Sequence, residues 1–167
     1  MFGPLKIRII LHQSIVSHRY YTLLGISLDV VYKNKEVQVL LDGHRRKMSK
    51  IALIPTMGNL HDGHLSLIEL AREYADYIVV SIFVNPTQFN DKKDFENYPR
   101  TLESDIEKLT KAGVNLLFLP GLSSLYPNGT DYAIQLIIPE RANDLCGQVR
   151  PGHFEGVVSV VLRLFNI

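Results

Sequence analysis

Short apolar runs rich in β-branched residues alternate along this chain with segments of helical periodicity. The strongest run is YIVVSIFV at residues 77–84, a composition typical of a buried strand. Further strands are predicted at 51–54, 114–119 and 134–138, and helices at 34–49, 65–74, 101–112 and 154–165. This alternation predicts an α/β fold, a Rossmann-like doubly wound parallel sheet with helices on both faces.

Composition narrows the class of protein further. The chain has 167 residues, of which 46% are hydrophobic and 21% charged, as in an ordinary globular domain. Its single cysteine, Cys146, excludes an intramolecular disulfide and a multi-cysteine zinc site. A net charge of +1 gives no support for a nucleic-acid or membrane partner. No apolar run approaches the ~18 residues that a membrane span needs, and we expect a cytoplasmic protein.

Charge is distributed unevenly along the chain. Residues 1–50 carry nine Lys or Arg and three Asp or Glu, whereas the remainder carries nine and fourteen. Residues 1–28 contain no acidic residue at all. This segment is predicted to be a poorly ordered N-terminal extension, with a structural element or a targeting segment as alternatives. The nucleotide-binding domain is predicted to occupy residues 29–167.

The loop after the strand at 51–54 carries the most specific pattern in the chain. His61 and His64 lie three residues apart where that strand passes into a helix. Gly63, between them, would let a phosphate approach the backbone, and free N–H groups at a helix start favour an anion. Histidines there can donate hydrogen bonds to phosphate oxygens as charge develops. A zinc site and a purely structural helix cap are the alternatives.

Four segments stand in an order and spacing that resemble one known family. They are PTMGNLHDGHLSL at 55–67, SIFVNPTQF at 81–89, YPRTL at 98–102 and RPGHFEGV at 150–157. Together, over about residues 29–167, they resemble the pantothenate synthetase family of the HxGH nucleotidyltransferase superfamily. A lone HxGH motif would fit cytidylyltransferases, adenylyltransferases or class I aminoacyl-tRNA synthetases equally well.

The resemblance implies an ATP-dependent ligase that condenses pantoate with β-alanine, through a pantoyl adenylate, to give pantothenate, AMP and pyrophosphate. His61 and His64 would be catalytic, with His64 the proton donor. Gln88 would bind pantoate and β-alanine, since an amide can both donate and accept. The implied ATP-binding residues are Met57, Gly58, Asn59, Leu60, His61, Asp62, Gly63 and His64. The other implied substrate contacts are Asn85, Tyr98, Arg150 and His153.

From the residues alone, those last four positions also fit purely structural roles. Asn85 and Tyr98 are compatible with a turn or the core, and Arg150 and His153 with hydrogen bonding at a helix entry. The resemblance also implies Mg²⁺, which would face Asp105, and a homodimer.

Two departures from the family pattern stand out. The family's acidic pair appears here as Ser104-Asp105, so that one carboxylate is missing unless Glu103 replaces it. The chain also ends at Ile167, before the family's later GEKDxQQ and SSRN segments. We therefore expect the N-terminal portion of a longer enzyme, inactive alone. Another HxGH nucleotidyltransferase and a non-catalytic nucleotide-binding fragment are the competing interpretations.

Overall fold

A six-stranded sheet forms the centre of the molecule. The computed structural model describes residues 8–11, 19–23, 25–130 and 152–167. The strands are β1 (Arg8–Leu11), β2 (Arg19–Leu23), β3 (Ile26–Val31), β4 (Ile51–Thr56), β5 (Tyr77–Ile82) and β6 (Leu116–Phe118). Their order across the sheet is β1-β2-β3-β6-β5-β4. The last four are parallel, and β1 and β2 add to the β3 edge in antiparallel fashion.

Helices connect the parallel strands. They are α1 (Asn34–Arg46), α2 (Asp62–Tyr74), α3 (Lys92–Glu96), α4 (Leu102–Lys111), α5 (Leu122–Leu125) and α6 (His153–Phe165), and a 3₁₀ turn spans Pro86–Gln88. No helix within the described ranges is long and apolar enough to cross a membrane.

The sheet is covered on both faces. One apolar core packs β5 residues Tyr77 and Val79 with side chains of α1, α5 and α6. The opposite core packs Ile78 and Val80 with side chains of α2 and α4. The side chains on both faces of β5 are therefore buried, which explains why its sequence is a continuous apolar run rather than an alternating one.

The predicted α/β class with helices on both faces is confirmed. The predicted helices correspond to α1, α2, α4 and α6, and three predicted strands correspond to β4, β5 and β6. The predicted strand at 134–138 lies outside the described residues.

The N-terminal end of the sheet differs from the prediction. The sheet is mixed rather than wholly parallel, because β1 and β2 form an antiparallel hairpin on β3. The expected domain start at residue 29 falls inside β3, whose Leu28, Val30 and Val31 are all fully buried. Three separate stretches of the predicted extension are therefore part of the sheet. Local composition gave no sign of this, although β1, β2 and β3 are consecutive in the chain and pair with their neighbours.

Candidate functional site

The carboxyl ends of β4 and β5 bring the predicted site residues together. Thr56 ends β4, where its hydroxyl donates to the carbonyl oxygen of Ser81 at 2.9 Å and accepts from the Gly58 N–H at 3.2 Å. Gly58 and Asn59 then adopt positive φ angles of 82° and 51°. A Cβ on Gly58 would lie 3.1 Å from an Asp105 carboxylate oxygen, so both the backbone angle and the space favour glycine.

His61 and His64 form a reciprocal cap on the first turn of α2. The Nδ1 atom of His61 accepts from the Gly63 N–H at 3.1 Å, and Nδ1 of His64 accepts from the His61 N–H at 3.3 Å. Their ring centroids are 4.1 Å apart. Since each Nδ1 is an acceptor, the hydrogen-bond network assigns the proton of each neutral ring to Nε2. Each ring therefore keeps one N–H to donate to a ligand at the helix start.

The surroundings of His64 keep its imidazole neutral. Partial burial lowers the pKa of His64 below its ordinary value of 6.5, and the neighbouring His61 lowers it further. The Asp105 carboxylate acts on that pKa in the opposite direction, but more weakly. A neutral donor at this position can gain a proton once phosphate charge arrives.

Asp105, on α4, hydrogen-bonds to the backbone of the loop. Its side chain is 1% exposed and its two carboxylate oxygens accept from the N–H of Asn59 at 2.9 Å, the N–H of Leu60 at 2.8 Å and the Thr101 hydroxyl at 3.1 Å. The described residues contain no group of three His, Cys, Asp or Glu side chains placed to hold a metal. Because one or two carboxylates with phosphates commonly suffice for Mg²⁺, the Mg²⁺-facing role of Asp105 stays a prediction from the resemblance.

Gln88 lies across a small cavity from the histidine cap. The cavity has a volume of about 240 Å³, and its polar lining includes His64, Gln88 and Tyr98. Its apolar walls are formed by Pro55, Met57, Phe83, Val157, Val160, Val161 and Leu164. The Gln88 amide nitrogen contacts the Met57 sulfur at 2.9 Å. Burial of the amide in such a cavity suits a small ligand with both an apolar body and polar ends.

Asn85 fixes the orientation of the Gln88 amide. The Asn85 oxygen accepts from the Thr87 N–H and the Tyr126 hydroxyl, at 3.3 and 3.0 Å. Its nitrogen donates to the Gly156 carbonyl at 3.1 Å and to Gln88 Oε1 at 3.2 Å. The reversed amide would place donor against donor at Thr87. Gln88 Oε1 thus accepts one hydrogen bond and its NH₂ group contacts the Met57 sulfur, so each atom keeps one hydrogen-bonding position for a ligand.

The other four predicted substrate contacts differ in where the structure places them. Tyr98 lines the cavity, and burial raises the pKa of its hydroxyl, with a smaller contribution from Asp105. His153 begins α6 and pairs through Nδ1 with the Gln88 carbonyl oxygen at 2.8 Å, which matches the helix-entry role. Asn85 is completely buried and its amide is hydrogen-bonded to protein groups, and its predicted substrate contact stays a prediction. Arg150 lies outside the described residues.

Sequence reasoning missed three residues that build the site. A Cβ on Gly156 would lie 2.5 Å from the Thr87 carbonyl oxygen, so this glycine permits α6 to touch the 3₁₀ turn. A glycine inside a helical pattern is a recognisable signal of such close approach. Tyr126 and Lys108 carried no local signal, because each contacts residues at least 40 positions away in the chain.

The fold and the loop between β4 and α2 together define a class of protein. It is a Rossmann-like α/β protein whose HxGH motif caps a helix after a parallel strand. A sequence model of the pantoate-beta-alanine ligase family matches residues 29–167. The pantothenate synthetase of Marinobacter nauticus is 49% identical over 137 residues, covering 82% of this chain and 49% of that protein. That of Azotobacter vinelandii is 50% identical over 133 residues, covering 80% and 47%. The chain belongs to the pantoate-beta-alanine ligase family.

Solved structures agree with this assignment. The pantoate-beta-alanine ligase of Francisella tularensis, crystallised with beta-gamma ATP and beta-alanine, superposes with a TM-score of 0.76 at 41% identity, covering 82% of this chain and 52% of that one. Pantothenate synthetase from Thermus thermophilus gives 0.72 at 42% identity, covering 81% and 47%. The chain thus spans about half the length of the relatives that it matches.

Proposed function

We propose that this chain supplies the ATP site and the pantoate site of an ATP-dependent pantoate–β-alanine ligase. One observation carries the proposal: His64 belongs both to the α2 helix cap and to the lining of the cavity that holds Gln88. A phosphate at the helix start and an acid in the cavity would therefore be neighbours.

The cavity suits pantoate chemically. Pantoate has a carboxylate and two hydroxyl groups around a carbon that bears two methyl groups. The walls formed by Val157, Val161 and Phe83 would receive the methyl groups, and the Gln88 NH₂ would donate to a hydroxyl or carboxylate oxygen. Gln88 Oε1 accepts one hydrogen bond from Asn85 and keeps a second lone pair, so it could still accept from the β-alanine amine, the role first expected of it.

The reaction then needs orientation and charge neutralisation from the protein. A pantoate carboxylate oxygen attacks the α-phosphorus of ATP, and the bond to the bridging oxygen breaks to release pyrophosphate. The Nε2–H groups of His61 and His64 donate to phosphate oxygens as negative charge moves toward the leaving group. The amine of β-alanine next attacks the acyl carbon, loses a proton and displaces AMP, leaving pantothenate.

Several expected features of the whole protein stay predictions. Mg²⁺ is a usual companion of ATP phosphates, but no step above is routed through it. The homodimer and the cytoplasmic location follow only from the family resemblance and the composition.

Ligand titration of the chain tests the pantoate site. We expect Gln88→Glu to weaken pantoate binding about tenfold or more, because a carboxylate replaces the amide donor and repels the acid. ATP affinity should change by less than about threefold. Gln38→Glu, an exposed change of the same chemistry on α1, is the matched control. Equal losses of pantoate and ATP affinity would mean that Gln88 only supports the loop.

Activity is tested by joining this chain to the second half of the Marinobacter nauticus relative. The fusion should form pantothenate and AMP only when ATP, pantoate and β-alanine are all present. His64→Ala should lower its kcat by about 10²–10³-fold, the cost of losing one donor to developing charge. Consumption of CTP, or pyrophosphate release without pantoate, would instead favour another HxGH nucleotidyltransferase.

A further inference from the structure

Two side chains of α4 hold the backbone just before His61. Asp105 accepts from the N–H groups of Asn59 and Leu60, and Lys108, one turn later on the same helix face, donates to the Leu60 carbonyl oxygen. Both polar groups of the Leu60 backbone are therefore bound by α4. Leu60 itself is 2% exposed and belongs to the core between the sheet, α2 and α4.

The loop backbone has the shape that such a carboxylate needs. Positive φ angles at Gly58 and Asn59 turn the following N–H groups toward a common point, the geometry of an anion-binding concavity. The Asp105 carboxylate occupies that point as an internal anion. An asparagine with positive φ is an uncommon conformation that persists only where its surroundings hold it.

We propose that Asp105 and Lys108 are positioning residues that hold residues 57–60 so that His61 and His64 face a bound phosphate. This inference rests on the proposed ATP site. It replaces the metal role for Asp105: all three donors on its carboxylate are protein groups, and the neighbouring residue 104 is a serine and not a second carboxylate.

Amide hydrogen exchange measures the hold on the loop directly. We expect Asp105→Asn and Lys108→Met to speed exchange of the Asn59 and Leu60 amides about tenfold or more, because local opening no longer breaks these bonds. Glu103→Gln and Lys111→Met are matched controls, since they remove the same charges from exposed positions of the same helix. The controls should leave exchange of these amides within about twofold of wild type.

Nucleotide affinity separates positioning from metal binding. If Asp105 is a positioning residue, Asp105→Asn should weaken ATP binding about tenfold both with Mg²⁺ and with EDTA. Misplaced hydrogen-bond donors would bind free ATP and Mg²⁺-bound ATP equally poorly. A loss seen only with Mg²⁺ would overturn the proposal in favour of a metal ligand. Unchanged amide exchange in both variants would also overturn it.

The two readouts distinguish failure of this inference from failure of the proposed function. If wild type binds no ATP while both amides still depend on Asp105 and Lys108, the hold on the loop stands and the ATP site does not. If Asp105→Asn does not fold, Lys108→Met decides the matter, because it removes a half-buried contact and leaves the carboxylate in place.

Discussion

At the scale of single residues, the site depends on which atoms carry protons. Backbone N–H groups bind Nδ1 of both His61 and His64, so the donor of each neutral ring is Nε2. Because the pKa of His64 lies below 6.5, the unfolded chain binds this proton more readily than the folded one. His64 therefore lowers the stability of the fold as pH falls through 6.5 and has no such effect at higher pH.

Two substitutions should move the pKa of His64 in opposite directions. His61→Gln removes a like charge, so the pKa should rise while staying below 6.5, since burial is the larger cause of the shift. Asp105→Asn removes a favourable charge, so the pKa should fall further. NMR titration of the ring nitrogens measures both changes. Shifts of the same sign would show that the rings rearrange rather than simply lose a neighbour.

The Tyr126 hydroxyl should matter to a cavity that it does not line. Tyr126→Phe removes one donor from the Asn85 oxygen, which lowers the free energy of unfolding by about 1 kcal/mol and lets the Gln88 amide sample other orientations. Pantoate affinity should fall about threefold to tenfold while ATP affinity holds. Tyr74→Phe, at an exposed position of α2, is the control. Denaturant unfolding and pantoate titration of both variants give the comparison.

At the scale of elements, the contact between α6 and the 3₁₀ turn sets the cavity walls. The N-terminal part of α6 approaches the turn through Gly156, and His153 pairs with the Gln88 carbonyl oxygen. The same helix supplies Val157 and Val161 to the cavity. The close approach of the α6 backbone to the 3₁₀ turn therefore decides how far Val157 and Val161 lie from the Gln88 amide.

Gly156→Ala and Gly43→Ala should act oppositely on stability. A Cβ at 156 would meet the Thr87 carbonyl at 2.5 Å, so α6 must shift, at a cost of about 1–3 kcal/mol. A Cβ at 43 on α1 meets nothing within 4 Å, so this change should stabilise the helix by about 0.5–1 kcal/mol. Urea unfolding measures both. Equal effects would mean that α6 does not approach the turn this closely.

At the scale of the whole molecule, β3 joins the N-terminal hairpin to the parallel sheet. Its buried Leu28 and Val30 belong to the core with α2 and α4, and Val31 to the core on the other face. The family match begins at residue 29, within this strand. The strand is therefore part of both cores, whereas β1 pairs only with β2 among the described strands.

Two truncations should separate these contributions. Removing residues 1–18 deletes β1 and should leave a cooperatively folding domain. Removing residues 1–31 also deletes three fully buried side chains, each worth about 1.5–3 kcal/mol, comparable in sum to the stability of a domain. We expect that chain not to fold. Circular dichroism melting curves test this, and a cooperative transition in the shorter chain would contradict it.

Local patterns in the sequence were enough to predict most helices and strands and the position of the loop. Apolar periodicity depends only on near neighbours, so β4, β5, α1, α4 and α6 could be predicted with their approximate bounds. The HxGH loop was equally local, since one strand end and one helix start build it, and four motifs in order indicated the family.

Features that depend on distant residues meeting came from the fold alone. Only the fold places Asp105 beneath the Leu60 backbone, 45 positions away, where its carboxylate accepts from the Leu60 N–H. Only the fold brings Tyr126 and Gly156 to Asn85, whose amide nitrogen takes one of the two acceptor positions of Gln88 Oε1. A side chain's type fixes which hydrogen bonds it can make, but its surroundings decide which remain for a ligand.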